Sequence, residues 1–418
     1  EFRQNLGTGD ALEISAWAGD LTRPPPPATQ VIAAARARIR SVRGSVDSDA
    51  ADLRCAADAF VVRPAGGAPD VVAGYPWFGT WSRDTMISYE GLFLTTGRAD
   101  EGRELLGSYA KTLSDGMLAN TADTGQVEYN TADATLWFLH AVGRHLSATG
   151  DIDLAADLAE SLHEIVRRHV EGTRFGIRVD QADGLITQGA PGQALTWMDA
   201  VIAGEAMTPR AGKAVELNAL WINGLAAVAA VDRAIGHDHT PAQRLRERAV
   251  RSFGLRFRSP SGWLYDVVDS PAGDDAALRP NQLFAYGLPD APLRGSDPDA
   301  LRSVTGALLT PLGLRTLATD DPAYRGAHRG DPAGRDRAYH QGTVWPWLIG
   351  PYADAARAVG APTNGLLDGL LAHLSEWGVG SVSETADGDP PHAATGCPFQ
   401  AWSVAEVYRT LEAEGRAG

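Results

Sequence analysis

The stretch Lys213-Ala214-Val215-Glu216-Leu217-Asn218 opens with charged and amide side chains and runs directly into Ala219 to Val231, apolar apart from Asn223 and Gly224. A helix that is apolar nearly all round must be buried on most sides. The apolar run is shorter than the ~20 residues that cross a bilayer, so it reads as a core helix with a polar mouth. The same composition recurs at 83–96, 131–146, 280–288, 342–358 and 400–414. Between these lie segments with Arg, Glu and Asp on one face and Leu, Ala and Val on the other: 29–43, 99–116, 151–170, 239–254, 298–312 and 363–377. Such one-sided patterning belongs to helices packed on a single face. The two kinds alternate at intervals of roughly 50 to 80 residues. This predicts an all-α fold, an (α/α)6 barrel with an inner ring of buried helices and an outer ring of surface helices. An irregular bundle or an α-solenoid would use the same helices without gathering the polar starts at one end. Strand-like alternation is scarce, the best being Phe60-Val61-Val62-Arg63.

Working outward, Arg23-Pro24-Pro25-Pro26-Pro27 forces a stiff, extended connector. Residues 1–27 are therefore read as an N-terminal segment and Pro-rich linker, the remnant of a further domain, and 28–418 as the helical domain. The chain of 418 residues is long enough for a deep core, and its 44% hydrophobic and 21% charged residues exclude disordered and collagen-like classes. Fifty-two acidic against 37 basic residues give a net charge of -15. A nucleic acid or an anionic membrane would be repelled, so neither is expected as a partner. Cys55 and Cys397 are too few and too far apart for a disulfide framework, and are expected to be free thiols in a cytoplasmic protein. The chain starts without Met or a signal segment, and is expected either to begin inside a longer protein or to carry a few added residues at its start.

The polar mouths carry the chemistry. They read Tyr75-Pro76-Trp77-Phe78-Gly79-Thr80-Trp81-Ser82-Arg83-Asp84, then Glu128-Tyr129-Asn130-Thr131-Ala132-Asp133, then Arg279-Pro280-Asn281-Gln282, His340-Gln341-Gly342-Thr343-Val344-Trp345-Pro346-Trp347 and Pro398-Phe399-Gln400-Ala401-Trp402-Ser403. Carboxylates, amides and Arg or Lys bond hydroxyls, while Trp and Tyr faces pack on the C–H face of a sugar ring. A neutral polyol suits that mixture. The residues expected to contact it are Trp81, Arg83 and Asp84, Glu128 and Asn130, Trp197, Lys213 and Glu216, His340, Gln341 and Trp345, and Trp402. Lys213 draws notice because only Lys111 accompanies it beside 35 arginines.

Two carboxyls face this mouth from loops. Asp199, in Thr196-Trp197-Met198-Asp199, sits beside Trp and Met, where desolvation would keep it protonated as a proton donor. Glu384, in Ser381-Val382-Ser383-Glu384, lies in a loop rich in Ser, Gly and Asp, where hydration would keep it ionised; Asp387 and Asp389 share that loop and compete for the role. Two carboxyls across a sugar-lined cleft are the minimum for glycoside hydrolysis. His237-Asp238-His239 lacks a third ligand for zinc, Asp387-Gly388-Asp389 does not match a calcium loop, and no dinucleotide or P-loop pattern occurs. No metal or cofactor is expected.

Together these motifs resemble the glucosidase domain of glycogen debranching enzymes, the amylo-α-1,6-glucosidases, which are related to glucoamylases. The resemblance runs from about Leu53 to Arg409. It is carried by Ala73-Gly74-Tyr75-Pro76-Trp77-Phe78 through Trp81-Ser82-Arg83-Asp84-Thr85, by Glu128 to Ala134, by Thr196 to Asp199, by Thr208-Pro209-Arg210-Ala211-Gly212-Lys213, and by Ser383-Glu384 through Gly388-Asp389-Pro390-Pro391-His392 to Gln400-Ala401-Trp402-Ser403. It implies an (α/α)6 barrel acting on a branched α-glucan or limit dextrin by an inverting mechanism. Asp199 would be the general acid and Glu384 the general base, with Arg83 and Asp84 gripping the terminal glucose. Ser82 stands where the family pattern has Gly. The transferase domain of two-activity eukaryotic relatives has no counterpart in the sequence. A non-hydrolytic sugar-binding toroid, or another glycosidase or sugar isomerase on the same fold, would share the barrel.

Overall fold

The computed structural model describes residues 3–17, 20–44, 48–64, 67–121 and 127–415. Its helices are α1 (Ala28–Arg43), α2 (Asp49–Phe60), α3 (Ser82–Tyr89), α4 (Ala99–Ala110), α5 (Ala134–Thr149), α6 (Ile152–Glu171), α7 (Val215–Ala234), α8 (Thr240–Arg256), α9 (Leu283–Gly287), α10 (Pro298–Leu308), α11 (Pro332–Tyr339), α12 (Ile349–Ala358), α13 (Asp368–His373) and α14 (Ala401–Ala413). The inner ring closes on itself. α3 packs on α5, α5 on α7, α7 on α9, α9 on α12, α12 on α14, and α14 returns to α3. α2, α4, α6 and α8 lie outside it, against α14, α5, α7 and α7 respectively. In the remaining outer positions of the (α/α)6 barrel, α10 meets α12 through the Thr305 and Tyr352 hydroxyls at 2.8 Å, and α13 packs through Gly369 against Pro311.

The contrast between the two rings follows from their side chains. In α6, Leu154, Ala155, Leu158, Ala159, Leu162 and Ile165 are buried along one stripe, Asp151 caps the first turn by accepting the Leu154 N–H at 2.9 Å, and Arg168 and His169 close the last turn. In α7 burial runs right round the helix, and its polar residues are each satisfied. Asn218 accepts the Ile186 N–H at 2.7 Å and donates to the Ile186 and Ala214 carbonyls, while Asn223 bonds His140 at 3.1 Å. At 20 residues α7 is longer than its apolar run and, by length and composition, long enough to cross a membrane. Its surroundings are protein, with 83% of its most apolar window buried.

Two outer helices differ from those expected, and the segment 363–377 is α-helical only over Asp368–His373. The segment 29–43 forms α1, but none of its residues is buried, and it lies on the outside of α2. The outer-ring position belongs to α2, whose Ala50, Ala51, Leu53, Ala57 and Phe60 are buried and which the sequence reading passed over. Inner helix α3 runs on into a π-helical turn, Glu90–Leu94, where Gly91 meets α14 so closely that a Cβ would collide with the Ala405 backbone.

Short strands, too brief to show a two-residue period, tie the mouth together. Asp70–Tyr75 pairs with Val61–Val62, Phe78–Thr80 and Phe399–Gln400, so the chain entering α3 is bonded to the chain entering α14. Val344–Trp345, ahead of α12, pairs with Gly313–Arg315 and at Ala386, and Lys213–Ala214, ahead of α7, pairs with Val267–Val268. Side chains join these starts at one end of the barrel: Arg83 in the first turn of α3 bonds Asp133 at the start of α5, Gln400 before α14 bonds Asp84 of α3, and Asn281 before α9 bonds Asp266 beside the strand ahead of α7.

Candidate active site

Asp199 is placed by a buried chain of polar contacts. The Trp197 indole N–H donates to Asn281 at 2.8 Å, Asn281 donates to Asp266 at 2.7 Å, and Asp266 accepts Arg210 Nε at 2.7 Å. Arg210 also forks onto both oxygens of Glu216. Burial disfavours the Arg210 charge, but Asp266 and Glu216 outweigh it and hold the guanidinium protonated. Glu216, expected to meet substrate, instead has both oxygens turned onto Arg210, so it steadies Trp197 from behind. With Trp197 anchored, the next residue but one emerges into the mouth. Arg83 Nη1 donates to Asp199 Oδ2 at 2.7 Å, and His340 Nε2 lies 3.9 Å from Oδ1.

Arg83 is itself fixed. Its Nε meets both oxygens of Asp133, each at 2.9 Å, and Nη2 donates to the Thr196 carbonyl at 3.2 Å. Burial opposes its charge, and Asp133 and Asp199 restore it. Beside it Asp84 is buried and accepts Gln400 Nε2 at 3.4 Å. Burial pushes its pKa up to about 8, opposed by Arg83 and reinforced by Glu384 and Asp199.

Glu384 stands just before the strand Thr385–Ala386. Its N–H donates to the Cys397 carbonyl and its Oε2 accepts the Cys397 N–H, both at 2.8 Å, while Oε1 accepts the Tyr339 O–H. Gly396 has φ of +68°, and a Cβ there would strike Glu384 Oε2, so both the turn and the carboxylate require glycine. The rival acids are engaged elsewhere. Asp387 accepts the His328 N–H and pairs with Arg329, and Asp389 accepts the Tyr324 O–H at 2.9 Å.

The environments of the two carboxyls are the reverse of those expected. The Asp199 side chain is 38% exposed and ion-paired, whereas Glu384 is 4% exposed. Burial raises the Glu384 pKa, and the Tyr339 and Cys397 hydrogen bonds work against the rise. Neighbours in sequence suggested a dry Asp199 and a wet Glu384. The folded loops bring Arg83 and solvent to the first, and Tyr339 and Cys397 to the second.

Between the carboxyls lies an aromatic cage. Trp197 stands edge-on to His340 (5.2 Å), Trp345 (5.4 Å) and Trp347 (5.3 Å). His340 stacks on Trp345 at 12°, and Trp402 stacks on Trp347 at 24°. Burial, with Arg279 and Arg83 nearby, holds His340 neutral. Several buried polar atoms here have no protein partner: both His340 ring nitrogens, the Trp347 and Trp402 indole nitrogens, Ser82 Oγ, Gln400 Oε1 and Ser403 Oγ. Buried polar groups are ordinarily bonded. A site built to receive hydroxyls or water explains so many at the starts of three inner helices.

The other expected contacts divide. Trp81 is half-buried at the start of α3, and Glu128 and Asn130 stand at the rim, with Asn130 bonding Asn120 at 2.9 Å and Glu128 at 3.2 Å. Gln341 is spent on Arg279, at 2.7 Å, and on the Met207 carbonyl. Lys213 lies among Asp180, Asp183 and Asp269 at 2.8, 2.6 and 2.7 Å. Its three protons are thereby used, and it fastens loops instead of offering a donor to a ligand. The sequence reading missed Asp133, Arg210, Asp266 and Tyr339. Asp133 and Arg210 lay inside segments already singled out, but their pairings are formed only by the fold. Among the described residues no group of three His, Cys, Asp or Glu side chains is placed to hold a metal ion.

A separate cavity of about 210 Å³ opens at the opposite end of the barrel, lined by Glu90, Trp137, His140, Arg144, Glu406 and Arg409 among others. Its charges are paired with each other, Arg144 with Glu90 at 2.5 Å and Arg409 with Asp354 at 2.9 Å. We assign it to closure of the barrel's rear, because Asp199, Glu384 and the rest of the cage lie at the other end, with Trp347 forming the wall between the two.

The family model described as amylo-alpha-1,6-glucosidase matches residues 55–409. Glycogen debranching enzyme of Saccharomyces cerevisiae is 28% identical over 396 residues, 70% of this chain and 26% of that protein, so the chain spans about a quarter of that relative's length. Among solved structures, a GH63 mannosylglycerate hydrolase from Thermus thermophilus, in complex with Tris, superposes with a TM-score of 0.64 at 14% identity, covering 87% of this chain and 100% of that one. A bacterial glucoamylase complexed with acarbose superposes with a TM-score of 0.61 at 16% identity, covering 88% and 56%. Fold and site together define a glycoside hydrolase of the (α/α)6 barrel class. Within that class, the chain belongs to the amylo-alpha-1,6-glucosidase family.

Proposed function

We propose that this protein removes α-1,6-linked glucose from branched α-glucans or limit dextrins, with inversion at the anomeric carbon. What supports the reading best is that Asp199 and Glu384, on separate loops, meet one aromatic-lined mouth inside the span matched by the family. In the proposed reaction Asp199 protonates the glycosidic oxygen and Glu384 takes a proton from a water that attacks the opposite ring face. Arg83, held rigid by Asp133, and Asp84 bind hydroxyls of the terminal glucose, with the C–H face of the ring against the tryptophans. A carboxyl holds its proton best without water. Seating the sugar over the 38%-exposed Asp199 side chain excludes solvent from it, while the hydroxyls compete for the Arg83 donor.

The test is glucose release from a branched limit dextrin compared with isomaltose and maltose. Clear preference for the branched substrate is expected. Faster release from maltose would overturn the α-1,6 assignment, and sugar binding without release from any of the three would favour a non-hydrolytic toroid.

A further inference from the structure

Glu384 must meet two opposed demands. A general base has to be ionised, yet this carboxyl is 4% exposed, and burial pushes a carboxyl toward its neutral form. Two protein donors bond the carboxyl where bulk solvent does not reach: the Cys397 N–H at Oε2, 2.8 Å away, and the Tyr339 O–H at Oε1. The first belongs to the backbone pairing of Glu384 with Cys397. The second comes from the last residue of α11, and that ring is clamped on several sides. It stacks on His328 at 5.2 Å and 22°, lies 4.7 Å from both His340 and Trp345, and its own carbonyl accepts the Trp345 indole N–H at 2.8 Å. The other titratable groups facing Glu384 give its charge no help. Asp84 on α3 and Asp199 are carboxyls, Cys397 presents a thiol that burial keeps protonated, and burial holds His328 and His340 neutral.

We propose that Tyr339 is a positioning residue for Glu384, its phenol O–H fixing Oε1 and supplying the stabilisation that water gives an exposed carboxylate. The phenol keeps its proton throughout, because burial and the adjacent Glu384 hold its pKa well above the usual tyrosine value. It is therefore a donor and not a second base.

The catalytic part of this role rests on Glu384 being the base, so the experiment needs a readout independent of turnover. Tyr339→Phe retains the ring contacts and deletes one donor. The Glu384 carboxyl is followed by carbon-13 NMR of protein labelled at glutamate Cδ, with Glu384→Gln supplying the assignment. Its midpoint is expected to rise by about one pH unit or more in Tyr339→Phe. The acidic limb of kcat/KM should move up with it, and kcat should fall about tenfold or more at neutral pH with little change in KM. An unmoved midpoint overturns the role, as does a moved midpoint with an unmoved acidic limb. Failure of the hydrolase reading would show separately, as a wild-type protein that titrates normally and releases no glucose.

Discussion

Asp199→Asn and Glu384→Gln are each expected to lower turnover by about 10²–10⁴-fold or more while leaving the fold and sugar binding in place. The structure explains why the fold survives both changes. Asp199 is partly exposed, and an asparagine oxygen still accepts from Arg83 Nη1. At Glu384 a glutamine oxygen can take the Cys397 N–H, with the amide NH₂ turned to Tyr339, whose phenol oxygen can accept. Asp199→Asn strands no buried donor, whereas Glu384→Gln leaves the Tyr339 O–H without its acceptor, at a cost of about 1–3 kcal/mol that lowers stability without abolishing the fold. Initial rates on a branched limit dextrin, with thermal unfolding and glucose binding on the same preparations, check the pair. Full activity in either variant would remove that residue from the reaction.

Arg83→Ala is expected to have the second largest effect, acting on stability and activity together. It leaves the Asp133 side chain, 1% exposed, without the guanidinium that meets both its oxygens. Breaking a buried pair from one side costs about 3–5 kcal/mol; the partly exposed contact with Asp199 is left out of that figure. The deficit should depend on pH. Burial already raises the Asp133 pKa and Arg83 opposes the rise, so the variant's Asp133 would hold its proton to still higher pH when folded than when unfolded. A carboxyl whose folded pKa is raised loses stability as pH climbs above its unfolded value. Arg83→Ala should thus unfold at lower temperature at pH 8 than at pH 5, relative to wild type at each pH. Adding Asp133→Asn should recover much of the stability without restoring kcat/KM. A single variant with wild-type efficiency would show that Arg83 does not grip substrate.

How much of this was legible in the sequence depends on the distance over which each feature is decided. The apolar circumference of α7 and the single stripe of α6 are local properties, and both were readable. α2 was passed over because its twelve residues are short and rich in alanine. α1, whose periodicity is good, was given α2's place because periodicity does not reveal whether a neighbour exists to cover the face. The mouth strands are two to six residues long, below the length at which alternation is informative. At the site, residue type and order singled out Asp199, Glu384, Arg83, Asp84, His340 and the tryptophans. Lys213, Glu216 and Gln341 have the same polar character and the same position beside inner helices. Whether such a side chain meets a ligand or a neighbouring loop is settled by Asp180, Asp183 and Asp269 around Lys213, by Arg210 on Glu216, and by Arg279 on Gln341. The exchanged environments of Asp199 and Glu384 have the same origin, since solvent access belongs to the assembled loops.

Proton NMR of the first glucose released from a singly branched limit dextrin, recorded before the anomers equilibrate, tests the central claim most directly. An acid and a base on opposite faces of the ring deliver water with inversion, so the account predicts β-glucose from the α-1,6 linkage. Early α-glucose would contradict it.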